Sequence, residues 1–354
     1  MRRRLICVVV ALSLLVGAAW IALAAPAGAG GPSLTPFKQV AAWVDVFDYA
    51  PRLQNAGAKP RVTPESVADM AALGVKTLYV QVANPDGAPS NQLTDRAELA
   101  ALLTQAHEHG VAVVPWFLPG LTSPADDMAT MRQIVALRAG GEKVDGLGLD
   151  LESGDEPDIA LRNARTVAFA KKVRKLVGPS LPVAAIVYPA VQLEVLNTTL
   201  WPAFPYQGVA KYVDLWMPMS YYTYRSPESG LRNAFRYTVD SVERLRARLR
   251  NPKAPVHLIG GLAEDSTPDD YLDMSRAARA TGALGWSIYD YATTDSWSWP
   301  YLRGKVPVPT TLQPPTTPAP STAPPSTSSS STTTTTSTTT TTLPTSTTAT
   351  TIAP

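Results

Sequence analysis

Between about Phe37 and Lys305 the chain alternates eight short, apolar, β-rich runs with stretches of helical periodicity, and this alternation restricts the fold more than any other feature. The runs are Val40 to Phe47, Val75 to Ala83, Val111 to Leu118, Val144 to Glu152, Pro182 to Tyr188, Tyr212 to Met219, Val256 to Gly261 and Ala283 to Tyr289. Helical patterns fall at Pro64 to Leu73, Asp95 to His109, Pro124 to Ala139, Ile159 to Val177, Ser229 to Leu249 and Pro268 to Thr281. Thr63, Ser123 and Thr267 each precede a proline and predict hydroxyl N-caps. Gly74, Gly110, Gly178 and Gly282 follow helices where a left-handed cap is expected. Strand, helix, glycine, strand is the grammar of βαβ units, and eight cycles predict a single-domain α/β fold, the (β/α)8 TIM barrel, over residues 36–305. Asp45, Val46 and Phe47 follow the first strand in place of a glycine-rich fingerprint, so dinucleotide binding is disfavoured and no cofactor is expected.

The chain ends carry different signals. Arg2, Arg3 and Arg4 lead into an apolar stretch from Leu5 to Ala25, and Ala27, Gly28 and Ala29 fit a small-residue cleavage site. Residues 1–29 therefore read as an export signal, with an uncleaved signal anchor as the alternative, since the apolar run approaches the length of a membrane span. The protein is expected to be secreted or held at the cell surface. Its single cysteine, Cys7, lies in that segment, so the mature chain has no disulfide, no thiol nucleophile and no thiolate metal ligand. Without the three leading arginines, basic and acidic side chains nearly balance, and no basic stripe argues for nucleic acid. Residues 306–354 collapse to Thr, Ser, Pro and Ala, a composition that cannot bury enough apolar surface to offset chain entropy, so a disordered tail is expected. Runs such as Thr332 to Thr336 resemble O-glycosylated stalks, and a plain flexible linker is the alternative.

In a parallel barrel the chemistry sits at the carboxyl ends of the strands. The fourth run, VDGLGLDLE, ends in two acids at spacing i, i+2. Strand alternation puts Gly146, Gly148, Asp150 and Glu152 on one face and Leu147, Leu149 and Leu151 on the other. With the leucines under helices the acids point into the barrel mouth, where burial and like charge can raise one pKa enough to make a general acid. The plainer alternative is a pair that caps a helix or holds a salt bridge. Asp45 and Asp48 end the first run and are either helix caps or a second catalytic carboxylate. His107 and His109 lie at a helix end, and His257 begins the seventh run at the opposite end of the barrel. They form neither a metal set nor a Ser-His-Asp triad, and no metal is expected.

The segment VDGLGLDLE resembles the DxxDxDxE signature of glycoside hydrolase family 18, the chitinase-like barrels, with Asp145, Asp150 and Glu152 in place and Gly148 where the third position normally holds Asp. Val183 to Ala190 is similar to that family's fifth strand, Met217 to Tyr222 to its sixth and Gly285 to Tyr291 to its eighth. The resemblance implies that Glu152 protonates the glycosidic oxygen, that Asp150 holds the substrate's N-acetyl group while that group attacks the anomeric carbon, that Tyr221 supports the acetamide and that Trp286 stacks beneath the ring. Asp45, Tyr188, Met219 and Tyr222 are the other candidate substrate contacts. Gly148 implies weaker catalysis, altered chemistry or binding only. The partner expected is a polysaccharide or oligosaccharide with N-acetylated β-linked sugars, acted on by a monomer with possible cell-envelope association. The alternatives are a muramidase resembling family 25, whose Asp-x-Glu strand LDLE also fits with Asp45 as partner, and a non-catalytic glycan-binding cell-wall protein.

Overall fold

The computed structural model describes residues 31–83 and 91–307. The expected export segment over 1–29 and the tail beyond residue 307 lie outside the described residues. Each of the eight runs forms a strand: β1 Ala41–Val44, β2 Thr77–Gln81, β3 Ala112–Phe117, β4 Leu147–Asp150, β5 Val183–Val187, β6 Leu215–Pro218, β7 His257–Leu262 and β8 Gly285–Tyr289. β1 to β6 form one curled parallel sheet in chain order, and β7 pairs with β8. Isolated parallel bridges Trp216 to Val256 and Met219 to Ile259 link β6 to β7. β8 is tied back to β1 where Trp43 Nε1 donates to Ser287 Oγ over 2.8 Å and the Tyr291 amide donates to the Trp43 carbonyl over 2.9 Å. The architecture is α/β and TIM-like.

Helices cover the outer side: α1 Val46–Tyr49, α2 Ser66–Ala72, α3 Arg96–Glu108, α4 Pro124–Val135, α5 Ile159–Val177, α6 Tyr206–Val209, α7 Ala234–Leu249, α8 Pro268–Thr281 and α9 Trp299–Leu302. α5 and α8 match the sequence expectation at both ends. Thr267 accepts from the Asp270 amide in a full capping box, and Gly282 closes α8 at φ 59, a left-handed conformation that costs glycine little. Ser123 instead spends its hydroxyl on Asp126, and α2 begins at Ser66, two residues past Pro64. β1 is shorter than its apolar run because Asp45 stops it. The Asp45 carboxylate accepts from the Phe47 and Asp48 amides and starts α1.

Strand alternation divides the core in two. Leu147, Leu149 and Leu151 are fully buried in the layer between sheet and helices, each stabilising by roughly 1.5–3 kcal/mol. Phe37, Trp43, Tyr79, Val114, Trp116, Ile186, Met217 and Ile259 pack together on the inner side. This interior is filled by side chains, as expected of such sheets. Its large rings need small neighbours, and Gly148 and Ala184 sit in register beside Trp116. A Cβ on Gly148 would stand 2.9 Å from the Trp116 Cβ and 3.0 Å from the Ile186 Cδ1.

The amino end of the sheet is held by polar clamps. Asp145, ahead of β4, accepts from the Val113 amide of β3 and pairs with His107 of α3 at 2.8 Å. Asp214, ahead of β6, repeats this with the Val183 amide of β5 and the Arg174 guanidinium of α5. Each aspartate ties the preceding strand to the helix that feeds it. His257 is fully buried, between the Phe37 carbonyl at 2.9 Å and Ser287 Oγ at 2.8 Å. Burial pushes its imidazole down to about 4, so it is neutral.

Candidate active site

Asp150 closes β4 and Glu152 follows two residues on, so both share the inner face with Gly146 and Gly148. Asp150 is 4% exposed and its Oδ1 has no hydrogen-bond partner. Burial, reinforced by the neighbouring Glu152 charge, holds its carboxyl well above the ordinary range. Glu152 is half-buried at the strand's outlet, and desolvation pushes it up to about 7. Groups this close titrate as a pair, so near neutrality the two carboxyls share protons that ordinary acids would have lost. Tyr188, just past β5, and Tyr221, just past β6, both feel the charges of Asp150 and Glu152. Met219 packs in the inner cluster with Tyr188 and Tyr221 at its edge.

A second acidic group stands at the ends of β1 and β8. One carboxylate oxygen each from Asp45, Asp48 and Asp290 lie within 4.8 Å of one another. Asp45 uses Oδ1 to cap α1 and Oδ2 to accept from the Tyr289 hydroxyl over 2.9 Å. Asp290 Oδ1 accepts from the amide and hydroxyl of Thr293. Burial, with Asp45 and Asp290 beside it, pushes Asp48 up to about 7. Three carboxylates are by ligand type the set among the described residues that could hold a hard cation. Their oxygens are largely committed to caps, however, and a proton on Asp48 relieves the repulsion without a metal.

The two acid groups are joined by tyrosines. Tyr221 and Tyr289 have ring centroids 6.4 Å apart, and Tyr289 also packs against Trp43 at 6.3 Å. Tyr221 lies close enough to Glu152, Asp150 and Asp290 to feel all three charges.

Sequence reasoning placed Asp150, Glu152, Tyr188, Tyr221, Met219 and Asp45 around this end of the sheet, and the structure brings these six together in two neighbouring groups. Two placements need correction. Trp286 points to the helical side, where its ring meets Tyr271 of α8 edge-on at 5.8 Å. Tyr222 also turns outward, fully buried, with its hydroxyl on Ser266 and the Arg232 guanidinium over its ring. In β8 it is Gly285, Ser287 and Tyr289 that face inward, so strand parity excludes Trp286 from the acid pair. Asp145, part of the motif, lies in the clamp at the far end. Tyr289 was missed. Its one signal was a tyrosine at the carboxyl end of the last run, on the face opposite the tryptophan.

No family model and no curated protein matches the chain. Solved structures do resemble it. A class V chitinase from Pseudomonas fluorescens Pf-5 is 13% identical, with 76% of this chain and 100% of that one covered at a TM-score of 0.53. The spore cortex-lytic enzyme SleL of Bacillus megaterium QM B1551 is 10% identical, with 78% and 75% covered at 0.51. A chitinase from Bacteroides thetaiotaomicron is 11% identical, with 75% and 94% covered at 0.50. At such identities the likeness establishes the fold alone.

Proposed function

We propose that the chain is a glycoside hydrolase acting on a glycan of N-acetylated β-linked sugars, with Glu152 as general acid. The observation that carries this reading is the Asp150 and Glu152 pair, raised in pKa by burial at the end of β4 and facing Tyr188 and Tyr221. Glu152, nearer the outlet, donates its proton to the glycosidic oxygen. Asp150, deeper and with a free oxygen, orients the acetamide through its N–H, and Tyr221 supports the same group. The substrate then supplies the nucleophile, and no second attacking carboxylate is required. The chitinase names among the structural neighbours agree with an N-acetylated substrate. The reading takes the eight strands as one closed barrel, supported by the bridges from β6 to β7 and the ties from β8 to β1. It also takes the protein as secreted or surface-held, supported by Arg2 to Arg4 and the apolar stretch after them.

A second reading, a glycan-binding protein without turnover, is favoured by the space at Gly148, which Trp116 and Ile186 fill. Against it stands the energetic cost of burying two carboxyls that a binder need not keep. A soluble-product assay on chitin oligosaccharides and purified peptidoglycan separates the two. The wild type releases product, and Glu152→Gln lowers the rate by about 10²–10⁴-fold, the range for loss of a general acid. Absence of product from both chains rejects the enzyme, and full activity of Glu152→Gln moves the chemistry to another acid.

A further inference from the structure

A separate pocket lies on the outer wall between β5 and α7, and none of the residues around Asp150 and Glu152 lines it. After β5 the chain makes a wide turn, Gln192–Leu196, and then runs through Trp201 and Phe204 into α6. The cavity this leaves has a volume of about 170 Å³. A single water needs only roughly 10–15 Å³, while pockets for larger ligands begin near 300 Å³, so the space suits one ring.

Four features of the lining point to a ligand. Trp201, Phe204 and Tyr206 all line the cavity and pack one against the next, with successive ring centroids 5.1 and 4.7 Å apart and the Arg162 guanidinium over the Trp201 ring. The Tyr206 side chain is 6% exposed, and its hydroxyl has no hydrogen-bond partner, although it lies close enough to Glu194 and Arg248 to feel both charges. Leaving a buried hydroxyl unpaired is unfavourable, and a bound polar group would relieve that cost. Glu194 is shared at the rim between Arg248 at 2.6 Å and Arg244 at 3.5 Å, and the Arg248 side chain is 60% exposed, so its forked donor remains within reach of a ligand. Ala203 lines the pocket at φ 57, a left-handed conformation that is unfavourable for a residue with a Cβ. Strain held beside an unpaired buried hydroxyl is characteristic of binding sites.

We propose that this outer-wall pocket binds a single sugar ring of a glycan. The apolar face of the ring meets Phe204 and Tyr206, and its hydroxyl edge bonds the Tyr206 hydroxyl and the Arg248 guanidinium. Aromatic rings beside an unpaired hydroxyl and a forked donor match a sugar's two chemistries. The choice of a sugar rests on the glycoside hydrolase reading. A polymer held here and at the acid pair together would gain effective concentration at the second site.

The test is a titration of the full chain carrying Glu152→Gln with methyl β-N-acetylglucosaminide, followed by residue-resolved NMR up to about 10 mM, which would nearly saturate a site of about 1 mM affinity. The Trp201 indole N–H and the Ala203 amide report the pocket, and the Trp116 indole N–H reports the acid pair. Saturable shifts at Trp201 and Ala203, weakened about tenfold by Tyr206→Phe and by Arg248→Ala, support the proposal. If Tyr206→Phe does not fold, Arg248→Ala on an exposed side chain decides alone. Shifts at Trp116 without shifts at Trp201 overturn the pocket and leave the enzyme reading standing. Shifts at Trp201 that neither substitution weakens overturn it as well. Turnover by the wild type is measured separately, so failure of the enzyme reading shows as lost hydrolysis and not as lost shifts.

Discussion

Trp116 occupies the space that a side chain at Gly148 would need: a Cβ there would stand 2.9 Å from the Trp116 Cβ, with Ile186 Cδ1 at 3.0 Å on the other side. The glycine is therefore a packing requirement of this interior, where a tryptophan of β3 and an isoleucine of β5 meet over β4. A third carboxylate beneath Asp150 is incompatible with that packing.

Gly148→Asp is accordingly expected to destabilise the protein by about 3 kcal/mol or more, through overpacking together with an unpaired buried acid, and not to raise turnover. Gly148→Ala should cost about 1–3 kcal/mol. Denaturant unfolding of both variants checks this. A stable Gly148→Asp chain with faster hydrolysis would mean that the interior repacks freely.

The acid pair predicts the pH profile. A general acid works only while protonated, so hydrolysis should persist up to neutral pH and fall as pH rises through about 7, where Glu152 ionises. Glu152 also raises Asp150, so Glu152→Gln should lower the Asp150 midpoint. Carboxyl NMR titration of wild type and variant reads both; an unmoved Asp150 would show that the two groups are uncoupled.

Stability should carry the same signature with a definite sign. The folded state holds the Glu152 proton more tightly than the unfolded chain does. Its carboxyl therefore costs nothing below the unfolded value of about 4.3, and its cost grows as pH rises from there toward about 7. Glu152→Gln, always neutral, should stabilise the protein by about 1–3 kcal/mol at pH 8 and by little at pH 4. Unfolding at the two pH values decides, and an equal effect at both would remove the assigned cause.

Tyr289 and Trp286 should separate function from packing. Tyr289→Phe keeps the ring but removes the hydroxyl bonded to Asp45, costing about 0.5–1.5 kcal/mol and slowing hydrolysis by about tenfold. Trp286→Ala should cost about 2–4 kcal/mol through lost contact with Tyr271 while ligand affinity of the folded protein is unchanged. Loss of affinity on Trp286→Ala with an intact fold would reverse the assignment of strand faces in β8.

Local pattern carried a long way here. The eight strands, α5 and α8, and the face shared by Asp150 and Glu152 follow from periods of two and 3.6 residues, which depend only on neighbours in the chain. The side of β4 that turns inward was readable because its outer face is all leucine and its inner face is glycine and acid. In β8 and after β6 the two faces offer Trp286 against Tyr289 and Tyr222 against Tyr221. A strand buried on both sides is apolar on both, so composition cannot say which residue meets the acids. The inner face there was decided by register across the sheet and by bonds such as Trp43 to Ser287 and Tyr289 to Asp45, each joining residues 244 apart. The role of Gly148 is of the same kind, since only the assembled sheet sets Trp116 and Ile186 on either side of it.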